Sequence, residues 1–300
     1  MKPPIRAFVD TAALRHNLSR ARAMAPASRV MAVIKANGYG HGLVPVARAL
    51  APADGFAVAR LDEGLALRAA GLGNPVLLLE GVFSPAQLAS AAQQRLDVMV
   101  HSVEQLEMLE GRAGGEVVSA WIKLDTGMNR LGFRIDAFAE AYARLRRIAN
   151  VAPDPTLVTH LASADDPADP KTELQLGAFA AATAGLPGER SIANSAGLIA
   201  WPDTRADWVR PGLALYGMSP FSEGTGAGLG LRPAMTLQSE VIAVKDVAAG
   251  ETVGYGGTWR APRATRMAVI AAGYGDGYPR SVPSGTPVMV NGWRAPLIGR

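Results

Sequence analysis

The sequence predicts an α/β fold, a (β/α)8 barrel of the TIM type followed by a smaller β-rich domain. Three observations predict it. From Val30 to about Tyr216 short apolar runs alternate with longer stretches of helical period, as βα units around a parallel sheet do. Eight such runs occur, the number that closes a barrel. After Ser219 the texture changes, because SPFSEGTGAGLG is a glycine-rich link and the remainder carries the alternation and turn signals of β structure.

In chain order the strand candidates are VMAVIK, GFAVA, PVLLLE, LDVMVH, SAWIKLD, TLVTHLA, RSIANS and DWVRPGLALYG. Between them lie ARAL and its neighbours, LDEGLALRAAG, SPAQLASAAQQ, SVEQLEMLEGRAG, DAFAEAYARLRRIAN, KTELQLGAFAAATAGL and SAGLIAWP. Several of these open with Ser or Asp and close at Gly, as capped helices do. In the second part, MTLQSEVIAVKDV, ETVGYGG, RMAVIAAGYGDGYPR, TPVMVNG and RAPLIGR read as short strands. The expected division is residues 1–230 for the barrel and 231–300 for the β-rich domain, with residues 1–10, which contain IRAFVD, packing with the latter. Arg300 falls in a segment that still reads as strand, so the β-rich domain is expected to be incomplete, truncated at that point.

Composition narrows the function. The chain has 300 residues, 49% of them hydrophobic, which suffices for a large core. No apolar run approaches the roughly 20 residues that cross a bilayer, and MKPPIRAFVD has no leader-like hydrophobic segment, so a cytoplasmic protein is expected. With no cysteine there is no disulfide, thiolate metal site or cysteine nucleophile. The formal charge is +4 and the arginines are scattered rather than gathered in a run, which argues against nucleic-acid binding.

The polar residues at predicted strand ends are Lys35 with Tyr39 and His41, Lys123 with Asp125, His160, Asn194 with Ser195, and Arg210. In a barrel they converge at the carboxyl ends of the strands, where barrel enzymes do their chemistry. Lysine is rare here, five residues in all, and one stands where an apolar run gives way to the glycine-rich NGYGHG. An amine held in a dry pocket loses its proton readily and forms an imine with an aldehyde, of which pyridoxal phosphate is the usual one. Tyr39, Ser195 and the backbone N–H groups of Gly212 and Leu213 are available for its phosphate, and Arg210 for its ring nitrogen. Taken singly these signals are weak. A lone strand-end lysine is more often a salt-bridged surface group, His160 alone reads as a hydrogen-bonded core residue, and Tyr274 could simply fill a turn. A metal site on His160, Asp165 and Asp166 is conceivable but lacks a second histidine at ligand spacing; no metal is expected.

Together the motifs say more. AVIKANGYGHG resembles the cofactor-lysine signature of bacterial alanine racemases. KLDTGMNRLGF (123–133), THLASAD (159–165), ANSAG (193–197), WVRPGLALYG (208–217), VGYGG (253–257) and AAGYGDGYPR (271–280) follow in that family's order across essentially the whole chain. The resemblance implies a pyridoxal 5'-phosphate-dependent isomerase that interconverts L- and D-alanine, for cell-wall precursors or alanine catabolism. Lys35 would hold the cofactor through an imine and move the α-proton of the D isomer, with Tyr274 from the partner subunit as the opposing base for the L isomer. Arg130 would meet the cofactor's phenolic oxygen and the substrate carboxylate, and Lys123, carbamylated in similar enzymes, would hold Arg130. His160 would support the ring and Arg210 its nitrogen; Tyr39, Ser195, Gly212 and Leu213 would bind the phosphate, with Asn194 beside them. A base on each face of a planar carbanion is what racemisation needs, so the resemblance also implies a homodimer with shared sites. Similar enzymes continue beyond the position of Arg300 with further strands, a Met-Asp pair that meets substrate and a late tyrosine at the phosphate. The alternatives are a racemase of broader specificity, a decarboxylase on the same barrel, and a cofactor-binding barrel without turnover.

Overall fold

The computed structural model describes residues 4–112 and 114–299 and divides into two compact units. One is Val9–Ala234; the other joins residues 4–8 to residues 235–299.

In chain order the elements of the larger unit follow β1 (Arg6–Val9). They are α1 (Thr11–Met24), β2 (Arg29–Val33), α2 (Leu43–Ala49), β3 (Gly55–Val58), α3 (Leu61–Ala69), β4 (Val76–Leu78), α4 (Pro85–Gln93), β5 (Asp97–Val100), α5 (Val103–Glu110), β6 (Ala120–Lys123), α6 (Ile135–Arg146), β7 (Thr156–Val158), α7 (Lys171–Thr183), β8 (Arg190–Ser191), α8 (Ser195–Ala200) and β9 (Trp208–Val209). Strands β2 to β9 pair in parallel in sequence order, and β2 also pairs with β9 (Val30 opposite Val209), which closes the barrel. The expected eight strands are the eight observed. Their apolar runs are near-continuous because both faces are buried. Val30, Ala32 and Ile34 face the helices, whereas Met31 and Val33 face inward with Ala57, Leu77, Met99, Trp121, Val158 and Trp208.

The amino-terminal end of the barrel is sealed. Trp121 and Trp208 lie 5.5 Å apart inside it. Their indole N–H groups donate to Asp97 and Glu189, at 3.2 and 2.8 Å, and Arg29 both stacks on Trp208 and pairs with Glu189. The barrel interior is thus filled at this end, and the polar residues that the sequence places at strand ends stand at the other.

Helix α1 was not among the expected elements, although Asp10 caps it by accepting from Ala12 and Ala13 N–H, and Leu14, Leu18 and Ala21 form its buried stripe. Several strands are shorter than their apolar runs. RSIANS pairs only at Arg190–Ser191, because Asn194 caps α8, and DWVRPGLALYG leaves the sheet at Pro211, which has no N–H for the ladder.

In the smaller unit β1 pairs with β10 (Met235–Gln238). The others are β11 (Val241–Val247), β12 (Thr252–Val253), β13 (Trp259–Arg260), β14 (Thr265–Ile270), β15 (Pro287–Val290) and β16 (Trp293–Pro296), paired antiparallel as β11 with β14, β12 with β13 and β15 with β16. Asn291 and Gly292, both with positive φ, make the two-residue turn between β15 and β16 that an Asn-Gly pair specifies. GYGG and GYGD, expected within strands, instead form short 3-10 turns at Tyr255–Gly257 and Tyr274–Asp276. Among the described residues no helix is long and apolar enough to cross a membrane.

Candidate active site

A cavity of about 660 Å3 opens at the carboxyl ends of the barrel strands. Lys35, Tyr39, Lys123, Arg130, His160, Asn194, Ser195, Arg210, Gly212 and Leu213, all singled out from the sequence, line it together. Tyr274 belongs to the other unit, in the turn Tyr274–Asp276, and is 61% exposed.

Lys35 is delivered by an unusual backbone. β2 ends at Val33, and after Lys35 the chain turns left-handed, with φ of 53° at Ala36, 54° at Asn37, 63° at Gly38 and 52° at Tyr39. For an L residue other than glycine each such conformation costs roughly 1–2 kcal/mol. The reversal places Lys35 and Tyr39 on the same cavity wall, and Tyr39 stacks on Tyr216 at 4.7 Å.

A second tight loop presents Arg130. The carboxylate of Asp125 accepts from Gly127 and Asn129 N–H, both at 3.0 Å. The loop is closed by Asp125 N–H donating to Phe133 O and Phe133 N–H to Lys123 O. Gly132 is required there: its φ is 124°, and a Cβ would lie 2.8 Å from Asp125 N.

Arg210 is buried, and its guanidinium donates to Ser191 Oγ (2.5 Å), Thr159 O (2.7 Å), Ile192 O and the Nδ1 of His160 (both 3.3 Å). The last bond needs an unprotonated Nδ1. His160 is held well below its ordinary titration range by burial first, then by Arg210, Lys123, Arg130 and Lys35, so it is neutral with its proton on Nε2. Burial alone pushes Arg210 down to about 10. Lys123 is pushed down to about 8, by burial first and then by Arg210, Arg130 and Lys35, against the opposing pull of Asp125.

The electrostatics point to an anion. Among the lining residues four cations, Lys35, Lys123, Arg130 and Arg210, face two carboxylates, Glu80 and Asp165. The cavity wall also carries groups that could hold a phosphate. The Ser195 hydroxyl accepts from Gly212 N–H (2.9 Å) and Ala214 N–H (3.2 Å), which fixes it at the start of α8. A Cβ on Gly212 would lie 2.5 Å from Tyr39 Oη, so only glycine leaves room for that phenol. The Gly212 N–H, read from the sequence as a phosphate donor, is thus engaged by Ser195, whose own hydroxyl hydrogen is left to donate. These residues fit pyridoxal phosphate: an amine for the aldehyde, hydroxyl donors and cations for the phosphate, and a fixed guanidinium in the wall.

Glu80, His101, Phe83 and Thr159 also line the cavity and were not singled out. The signal existed for two of them, since Glu80 and His101 end the runs PVLLLE and LDVMVH as Lys35 ends VMAVIK. Among the described residues no group of three or more metal-ligating side chains forms, so His160, Asp165 and Asp166 do not assemble into the conceivable metal site.

A closed parallel barrel with a sealed floor and a cation-lined pocket at its carboxyl end defines a barrel enzyme built for a small anionic ligand. The family model "Alanine racemase, N-terminal domain" matches residues 9–220, and "Alanine racemase, C-terminal domain" matches residues 234–300. The chain belongs to the alanine racemase family, and the enzyme is an isomerase of alanine. An alanine racemase of Shewanella loihica is 53% identical over 300 residues, which are all of this chain and 84% of the relative. The crystal structure of a biosynthetic alanine racemase from Pseudomonas aeruginosa superimposes with a TM-score of 0.96 at 44% identity, covering 100% of this chain and 84% of that one. The family is pyridoxal phosphate-dependent. A structure of alanine racemase from Bartonella henselae with covalently bound pyridoxal phosphate matches at 29% identity and a TM-score of 0.86, covering 99% of this chain and 83% of the other.

Proposed function

We propose that the enzyme holds pyridoxal 5'-phosphate on Lys35 and racemises alanine with two opposed bases, Lys35 for the D isomer and the partner subunit's Tyr274 for the L isomer. The observation that carries this reading is the convergence of Lys35, Lys123, Arg130, His160 and Arg210 on one cavity with excess positive charge. When bound, the cofactor supplies an electron sink that acidifies the α-proton of an amino acid attached to it.

Every other task falls to the chain. Tyr39 and Ser195, with Leu213 N–H and Asn194 close by, would hold the phosphate. Arg210, fixed by four hydrogen bonds, would meet the cofactor's ring nitrogen, and neutral His160 would support its ring. A cation in that place, where a carboxylate would favour a protonated ring nitrogen, would limit the electron withdrawal the cofactor supplies. Arg130 pairs with the alanine carboxylate. Lys35 Nζ moves a proton at Cα on one face, and the phenol of the partner subunit's Tyr274 does so on the other. Lys123, partly unprotonated near pH 8, adds carbon dioxide and releases a proton, and the resulting carbamate anion pairs with Arg130. The physiological role we assign is supply of D-alanine, supported by the biosynthetic relative at 44% identity.

The test is turnover of L-alanine in D2O, followed by α-proton exchange and formation of the D isomer. Lys35→Ala should abolish the absorbance of bound cofactor. Tyr274→Phe should keep that absorbance and lose racemisation in both directions; full activity in this variant refutes the two-base scheme. Mixing the two inactive variants should restore part of the activity, because a heterodimer with shared sites holds one intact Lys35 and Tyr274 pair. No recovery on demonstrated heterodimers would mean that the two residues act within one chain.

A further inference from the structure

The left-handed run from Ala36 to Tyr39 needs something to hold it. Single residues, chiefly glycine and asparagine, visit this conformation; consecutive L residues do so only where their surroundings over-determine it. Four backbone bonds help, Gly38 N–H to Ile34 O (2.9 Å), Gly40 N–H to Ala36 O (3.0 Å), His41 N–H to Gly38 O (3.0 Å) and Gly42 N–H to Asn37 O (2.9 Å), and Asn37 Oδ1 accepts from Leu43 N–H at 2.8 Å. Among the described residues, the one carboxylate that grips the run is that of Glu63, in the first turn of α3. Its Oε1 accepts from Asn37 N–H at 3.0 Å, and its Oε2 accepts from Ala59 N–H at 2.8 Å. The carboxylate thus ties the turn that follows the lysine to the end of β3, the neighbouring barrel strand. Glu63 does not line the cavity.

We infer that Glu63 is a positioning residue for Lys35, holding the left-handed turn so that the lysine and Tyr39 face the cavity. The inference rests on Lys35 being the cofactor lysine. A simpler role competes with it. Arg60, at the N-cap of α3, makes no side-chain cap bond, and Glu63 reaching back to Ala59 N–H could serve only to cap that helix. The two roles use different oxygens and respond to different second changes.

The experiment compares Glu63→Ala alone, with Ala36→Gly, and with Arg60→Ser. Ala36 is exposed, and glycine at its φ of 53° removes part of the strain that Glu63 is inferred to hold in place. Serine at the N-cap restores a cap to α3 without touching the turn. Misplacement of the lysine predicts that Glu63→Ala lowers kcat about 10- to 100-fold, with KM for alanine changed by less than about threefold because the carboxylate partner is elsewhere. Independently of turnover, the Kd for pyridoxal phosphate, read from the absorbance of the bound cofactor, should rise about tenfold. Ala36→Gly should recover a large part of both losses, whereas Arg60→Ser should raise the melting temperature and recover neither. The inference is overturned if Arg60→Ser restores kcat and cofactor affinity while Ala36→Gly does not, or if Glu63→Ala leaves both unchanged. Should Glu63→Ala not fold, Glu63→Met, which keeps the side-chain length but accepts from neither N–H group, must show the same losses, and wild-type values in it overturn the inference. If Lys35→Ala keeps the cofactor absorbance, the reading of Lys35 itself is wrong and this inference falls with it; loss of that absorbance together with a silent Glu63 refutes the positioning role alone.

Discussion

Gly212→Ala isolates the phosphate cradle. The backbone there, with φ of −119° and ψ of −85°, lies outside the regions L residues favour, so alanine adds some backbone strain as well as its new methyl group. That methyl would stand 2.5 Å from Tyr39 Oη and 3.2 Å from its Cζ, while its next neighbour, Val33 Cβ, is at an unstrained 3.6 Å. Restoring an ordinary contact moves the phenol by about 1 Å against its stacking on Tyr216, and with the backbone strain the fold should lose about 1–3 kcal/mol. The hydrogen bond from Tyr39 to phosphate would be lost. At about 1.5–3 kcal/mol for a bond to a charged group, cofactor affinity should fall roughly 10- to 150-fold. Titration of the apoenzyme with pyridoxal phosphate measures it, with thermal unfolding of the same samples as the control. The double variant with Tyr39→Phe has no hydroxyl to displace and should bind the cofactor about as well as Tyr39→Phe alone. Unchanged affinity in Gly212→Ala, or full additivity in the pair, would refute the role given to Tyr39.

Two further predictions concern buried charges. Asp97, at the sealed end of the barrel, is pushed up to about 6 from 3.8 by burial, against the opposing hydrogen bonds from Trp121 and Ser119 and the charge of Arg68. Its ionised form therefore costs the folded state about 3 kcal/mol, a cost present above pH 6 and relieved as the pH falls toward 4. Asp97→Asn, which still accepts from the Trp121 indole, should unfold at higher denaturant than wild type at pH 7.5, and the difference should shrink as the pH falls from 6 to 4; a gap that widens on acidification contradicts the assignment. For Lys123, carbon-13 bicarbonate should give a carbamate carbonyl signal in the NMR spectrum that is absent from Lys123→Arg, whose guanidinium forms no carbamate.

The barrel was legible because a strand buried on both faces must be apolar throughout, and eight such runs stand out between amphipathic helices. Lys35, Lys123, His160 and Arg210 were legible for the complementary reason, as polar groups at the ends of those runs. Strand lengths were not: apolarity continues past the last ladder bond wherever a residue such as Asn194 or Pro211 turns the backbone while its neighbours stay buried. Nor was the left-handed turn. Asn37 and Gly38 permit it, but Ala36 and Tyr39 would not suggest it, and the carboxylate that grips it lies 26 residues away. His101 and Glu80 carry the same strand-end signature as Lys35, so the pattern identifies the cavity wall better than it ranks its members.

The account stands most directly on the bond between Lys35 and the cofactor. Borohydride reduction of the holoenzyme, proteolysis and mass mapping should find the pyridoxyl group on the peptide carrying Lys35 and on no other lysine. A label on Lys123, or no labelled lysine at all in an active enzyme, would contradict it.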